Sequence, residues 1–375
     1  MVPSSWQTSG PITLASDTCG GSSDDGRSNS AAPSGSSDTS AEVAKAEGLV
    51  KQFETPPTGI GVDTPLSGAP AKGKTFVWMQ CDAPQCSVIT GQLKEATAAV
   101  GWNLKVLNYE TANPATLVGG LKQALQDKPV AVGVVGLPYA VWQSVIPDYQ
   151  KAGVAIIPQN VGDVPLSETV PANIGSAEST AKGGEMLANW FIADSKGKGK
   201  AILFTSPELG PSKAFVEGFN STIEAGCTGC DITDLKLPYA DVAAGKAPSA
   251  ILAKLQQDPS IKYVISHNQA IAAGTPEALK AAGLTDVKLA GGSAQKSEEA
   301  AVNSGQLAAV TPTSLNFTTW LVLDAALRFS LGMEQPKDVQ VNKMLITKAQ
   351  NITPSDSFDY PADWKEQFKT LWKVS

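Results

Sequence analysis

Residues 74–82 read KTFVWMQCD, residues 88–102 read VITGQLKEATAAVGW and residues 103–110 read NLKVLNYE. The first and third stretches are short apolar runs with β-branched and aromatic side chains, the composition of strands. Between them Ile89, Leu93, Ala96 and Val100 recur at three- and four-residue spacing, which makes one face of a helix, and Gly101 closes it. Strand, helix, strand in so short a span is a βαβ unit. Its two strands run parallel, in a sheet that helices must cover on both faces.

Downstream the same rhythm continues. Residues 115–127 (ATLVGGLKQALQD) read as a helix, 129–136 (PVAVGVVG) as a strand, 139–153 (YAVWQSVIPDYQKAG) as a helix interrupted by Pro147, and 154–160 (VAIIPQN) as a strand. A second series then begins, with helices at 176–195, 211–226, 249–259 and 275–283 alternating with strands at 199–206, 232–240, 261–268 and 287–293. Two consecutive series predict an α/β protein of two Rossmann-like lobes. Open parallel sheets bind ligands beyond the carboxyl ends of their strands, so facing lobes would hold a ligand between them.

The chain has 375 residues, enough for two lobes, and its 42% hydrophobic content supports a sizeable core. A formal charge of −7 and the lack of any basic run oppose nucleic-acid binding, which needs a concentrated basic face. From residue 76 onward no stretch approaches the roughly 18–20 apolar residues that span a bilayer.

Upstream, residues 19–40 (CGGSSDDGRSNSAAPSGSSDTS) hold almost no large apolar groups and read as a flexible tether. A short helix is expected over 38–53 with Ser40 as its cap, followed by a Pro- and Gly-rich stretch over 55–74, so residues 1–73 are read as a leader and tether before a domain starting at Lys74. A Cys followed by such a tether resembles the mature start of a bacterial lipoprotein, which makes Cys19 a lipidation candidate. The remaining cysteines form two close pairs, Cys81 with Cys86 and Cys227 with Cys230. In an oxidising compartment a Cys81–Cys86 disulfide would tether its loop by about 2 kcal/mol. The CTGC pair follows a helix rather than opening one, so it reads as a structural disulfide and not as a redox centre. One histidine, His267, leaves no paired-His metal site, and there is no P-loop, no G-x-G-x-x-G after a strand and no G-x-S-x-G; no cofactor is called for.

Four strings carry a family resemblance. KAGVAIIPQN (151–160), FVEGFNSTI (215–223), NQAIAAGTPEALKAAG (268–283) and KLAGGSA (288–294) resemble, in order, motifs of the type I periplasmic binding proteins, the ribose-binding-like group. That resemblance implies three chain crossovers near Ile174, Pro312 and Val341. Lobe 1 would comprise 74–174 plus 313–341 and lobe 2 would comprise 175–312 plus 342–375. It implies a monomeric, extracytoplasmic substrate-binding protein of an ABC importer, periplasmic or lipid-anchored, that delivers a small solute, by family default a sugar, to a permease. The rival readings are a sensory binding protein presenting a carboxylate or aromatic ligand to a receptor, and an enzyme.

Carried over residue by residue, the resemblance assigns ligand contacts to Asn160, Lys213, Asn268, Gln269 and Ser293, and to Asp82 and Gln85 in the first loop. Val161, Phe215 and Pro312 stand where the family commonly has Arg, Arg and Gln. Tyr139, Trp142 and Phe317 are candidates for stacking surface, with packing as the alternative. Neutral amides or apolar groups thus replace most of the charged groups by which the family grips sugar hydroxyls. Lys213 is the candidate partner for a ligand carboxylate.

Overall fold

The computed structural model describes residues 35–82, 84–294, 296–336, 341, 343–348 and 359–374. Cys19, the lipidation candidate, lies outside the described residues. A four-stranded parallel sheet, ordered β2-β1-β3-β4, is built from β1 (Thr75–Gln80), β2 (Asn103–Asn108), β3 (Ala131–Val135) and β4 (Ala155–Gln159). A six-stranded sheet, ordered β10-β9-β8-β7-β5-β6, is built from β5 (Lys200–Thr205), β6 (Asp231–Lys236), β7 (Tyr263–Ser266), β8 (Lys288–Ala294), β9 (Ala309–Pro312) and β10 (Ile346–Thr347). All of its pairings are parallel except β10 on β9.

Strands β3 and β4 are buried along their whole length, whereas β2 and β6, each at one edge of its sheet, carry no fully buried residue. Alternate residues of β1 feed two cores. Phe76 and Trp78 face the helices Pro84–Ala99 and Leu315–Ser330, while Val77 and Met79 face the helix Pro114–Ala124 and Tyr149. The second sheet is covered on one face by the helices Ala177–Asp194 and Pro211–Gly226 and on the other by Ala247–Gln257 and Thr275–Ala281. The helix expected over 139–153 is broken into Tyr139–Trp142 and Ile146–Ala152. Pro147 takes an N-terminal position of the second piece, where its missing N–H costs nothing.

The expected start at Lys74 does not hold. The first helix runs over Gly35–Phe53, so Ser40 lies inside it rather than capping it, and its Ala46 and Phe53 pack into the second lobe against Met186, Trp190 and Phe219. Residues 60–66 then cross to the first lobe, where Ile60, Val62 and Leu66 are buried. This stretch is irregular yet docked, because its backbone finds partners elsewhere: Leu66 N donates to Leu371 O at 3.0 Å.

The assignment of 342–375 to the second lobe is also corrected. Met344 and Ile346 do lie in the second lobe, but the helix Trp364–Leu371 packs in the first. Its Trp364, Phe368 and Leu371 share one helical face, and with Trp372 they close over Phe317 and Trp320, with Trp372 stacked on Trp320 at 5.1 Å. Passages at residues 54–60 and between 347 and 364 therefore join the three expected crossovers.

One buried ion pair ties these additions down. On the helix Leu315–Ser330, Arg328 Nε donates to Asp324 Oδ2 at 2.7 Å and Arg328 Nη2 donates to Thr64 O at 2.7 Å, while Trp372 Nε1 donates to Asp324 Oδ1 at 2.8 Å. Burial raises the Asp324 pKa, against the lowering effect of Arg328 and Trp372. Removing one partner strands a buried charge. Arg328→Met should cost about 3–5 kcal/mol in urea unfolding, whereas Lys105→Met, which breaks the exposed Lys105–Asp127 pair, should cost under about 1 kcal/mol. Equal costs would contradict the stitching role.

Candidate functional site

Between the lobes, at the carboxyl ends of both sets of strands, lies a cavity of about 420 Å³. That is within the range of about 300–1,000 Å³ of small-molecule sites. The first lobe contributes Cys81, Cys86, Ile89, Val135 and Asn160; the second contributes Thr180, Phe215, Asn268, Ser293 and Thr311. Crossover residues Gly175, Thr313, Val341 and Lys343 line it as well.

Of the expected contacts, Asn160, Asn268 and Ser293 are brought together there. Asn160 and Ser293 have φ of 54° and 50°, the left-handed region that polar residues adopt more readily than branched ones. In each case the chain turns at the end of a strand and leaves the side chain at the cleft. Asn160 N donates to Ile174 O at 2.8 Å, which pins the loop to the first crossover. Asn268 Oδ1 accepts from Ala270 N at 2.9 Å, capping the short turn that follows, and this orientation leaves its amide nitrogen as the outward donor.

Five of the expected contacts lie outside the cavity lining. Lys213 is exposed and pairs with Glu217 at 3.7 Å, one helical turn on, because its side chain leaves the helix on the face away from the cleft. Gln269 is buried beneath the cleft, where its Oε1 accepts from Ser266 Oγ at 3.2 Å. Phe317 is core, packed on Trp364 and Phe368. Tyr139 is partly buried and rests edge-on against the buried Trp142, outside the cavity lining. Asp82 is turned to Thr111, whose Oγ1 donates to its Oδ1 at 2.6 Å, and this bond holds its carboxyl below the usual carboxylate range. The Gln85 side chain lies outside the described residues.

Both close cysteine pairs are disulfides, and Cys81–Cys86 forms part of the cleft wall. Phe215, which the resemblance puts at a common arginine position, and Lys343, which no motif marks, also line the cleft. Phe215 reaches the cleft because two helices touch backbone to backbone: a methyl group on Gly184 would overlap Phe215 O, and one on Gly218 would overlap Ala181 O. No polar motif announces Phe215. Lys343 follows a stretch without periodicity and is placed by the pairing of β10 and by hydrogen bonds to Phe53 and Glu54.

The family model for the periplasmic binding protein domain matches residues 75–320. The chain belongs to that family. Among curated periplasmic binding proteins it is similar to the ribose import binding protein RbsB of Bacillus subtilis strain 168, at 30% identity over 177 residues. These residues are 46% of this chain and 55% of that protein, so the match spans about half the length of its relative. Among solved structures, the 5-methylthioribose transporter solute binding protein of Thermotoga lettingae aligns with a TM-score of 0.66 at 15% identity, covering 83% of this chain and 99% of that one. The periplasmic ribose ABC transporter protein of Conexibacter woesei aligns with a TM-score of 0.64 at 16% identity, covering 76% and 95%. The two-lobed periplasmic binding protein fold is thereby shown.

Beneath the cleft floor, His267 is buried against Phe215 at 6.4 Å between ring centroids, and neither ring nitrogen has a hydrogen-bond partner. Desolvation pushes its pKa down from 6.5 to about 4. The unfolded chain therefore binds more protons between these values, and stability rises with pH through that window. Between pH 6.5 and 4 the wild-type chain should lose about 3 kcal/mol more than His267→Gln. Parallel pH profiles of urea unfolding check this; matching profiles would contradict a buried neutral imidazole.

Proposed function

We propose that this chain is the extracytoplasmic substrate-binding protein of an ABC importer, a monomer that captures a small polar solute between its lobes and hands it to a permease without covalent chemistry. The supporting observation is the interlobe cavity, lined from one lobe by Asn160 and from the other by Asn268. A solute that contacts both lobes at once favours the closed state over the open one by those added contacts. Amide side chains donate and accept, which suits hydroxyl-bearing ligands. The named ligands and transport roles of the relatives point the same way. Two disulfides suit an oxidising compartment, and Cys19 is the proposed site of a lipid anchor.

Thermal melts of the full chain, refolded to strip carried-over ligand, against sugars, polyols and sugar acids test the reading. A solute at about 100 times its dissociation constant adds about 2.7 kcal/mol and should raise the melt by about 2–4 °C. Asn160→Gly, which tolerates the left-handed backbone, should weaken that solute about tenfold. Covalent turnover of the bound solute, or a melt that no compound shifts, would overturn the reading.

A further inference from the structure

Among the described cleft residues there is no Asp, Glu or Arg, and Lys343 is the side chain that carries a formal charge. Elsewhere, lysines are matched to carboxylates at the surface: Lys105 with Asp127, Lys262 with Asp286 and Lys288 with Asp194, each at 2.6 Å. Such exposed pairs contribute little. Lys343, where pairing would count most, has no carboxylate in ion-pair reach among the described residues, and burial alone lowers its pKa to about 8.

The position is built. β10 pairs with β9 through Ile346 and Val310, Leu345 N donates to Phe53 O at 2.9 Å, and Thr347 Oγ1 donates to Glu54 Oε1 at 2.6 Å. The N-terminal helix thus holds the segment that carries Lys343. Space is left for a ligand over Gly183. A methyl group there would lie 3.4 Å from Thr311 Oγ1 and 4.0 Å from both Lys343 Nζ and the Phe215 ring. A cation, a hydroxyl and an apolar edge converge on that point. Long helices add to the field: Ser179 and Thr180 from the first turn of Ala177–Asp194, Pro211 at the start of Pro211–Gly226 and Leu315 at the start of Leu315–Ser330 all line the cavity. Helix N-termini favour negative charge.

We propose that the cleft takes a small polyhydroxylated anion whose carboxylate or phosphate pairs with Lys343 while its hydroxyl groups meet Asn160 and Asn268. This inference rests on the solute-binding reading above and narrows its ligand class. The anion supplies the partner that the fold withholds from Lys343, so the ligand-bound state alone has this charge matched.

Calorimetric titration of the full chain at neutral pH with matched pairs tests it: D-gluconate against D-glucitol, D-glucuronate against D-glucose, and ribose 5-phosphate against ribose. In at least one pair the anion should bind at least about tenfold tighter than its neutral partner, and which pair responds distinguishes carboxylate from phosphate. Lys343→Met should abolish that preference, and Lys343→Arg should keep most of it. Because methionine removes an unpaired ammonium, the ligand-free Lys343→Met chain should melt no lower than wild type. Neutral members binding as tightly as their anions, or a Met variant that keeps the preference, would overturn the anion inference and leave solute binding intact. If neither member of any pair binds and the wider panel is also silent, the solute-binding reading fails and this inference falls with it.

Discussion

The buried Asp324–Arg328 pair is the contact on which the architecture closes. A four-stranded parallel sheet must be covered on both faces, and one face of the first lobe is covered by segments far apart in sequence. Helix Leu315–Ser330 is the centre of that cover, with residues 317–328 all buried. Its ion pair reaches the irregular segment at Thr64 and the C-terminal helix region at Trp372. The segment around residue 64 and the C-terminal helix are thereby fastened to the first lobe, while the helix Gly35–Phe53 stays docked on the second.

This arrangement gives the hinge more chain than its three crossovers. The added N-terminal passage runs directly beside the segment 343–347, through the Phe53–Leu345 and Glu54–Thr347 hydrogen bonds. The hinge is therefore also a part of the binding wall. What it delivers there is an ammonium, facing two asparagine amides and an apolar surface built by Phe215, Leu315 and Val341. Charged bidentate groups of the sugar-binding pattern are absent from the described lining, and neutral donors with a single cation take their place.

Much of the fold was legible because βαβ units announce themselves by period: the runs at 74–82, 103–110 and 154–160 became β1, β2 and β4. Helix Leu315–Ser330 gave no such signal, since a helix apolar all round has no stripe to detect. The docking of residues 60–66 was hidden because Pro and Gly report the loss of regular structure and not the loss of tertiary contact. In the cleft, strand ends bring Asn160, Asn268 and Ser293 to the cavity lining. Lys213 and Phe215 lie two positions apart on one helix, and which of the two faces the ligand was decided by the close approach at Gly184 and Gly218. Lys343 depends on a two-residue strand pairing at a distance, which no local pattern encodes.

A solute held between the lobes should draw them together. Small-angle X-ray scattering of the full chain, with and without a saturating solute, measures this directly. The radius of gyration and maximum dimension should be smaller in the bound state. Saturating binding with an unchanged scattering profile would contradict it.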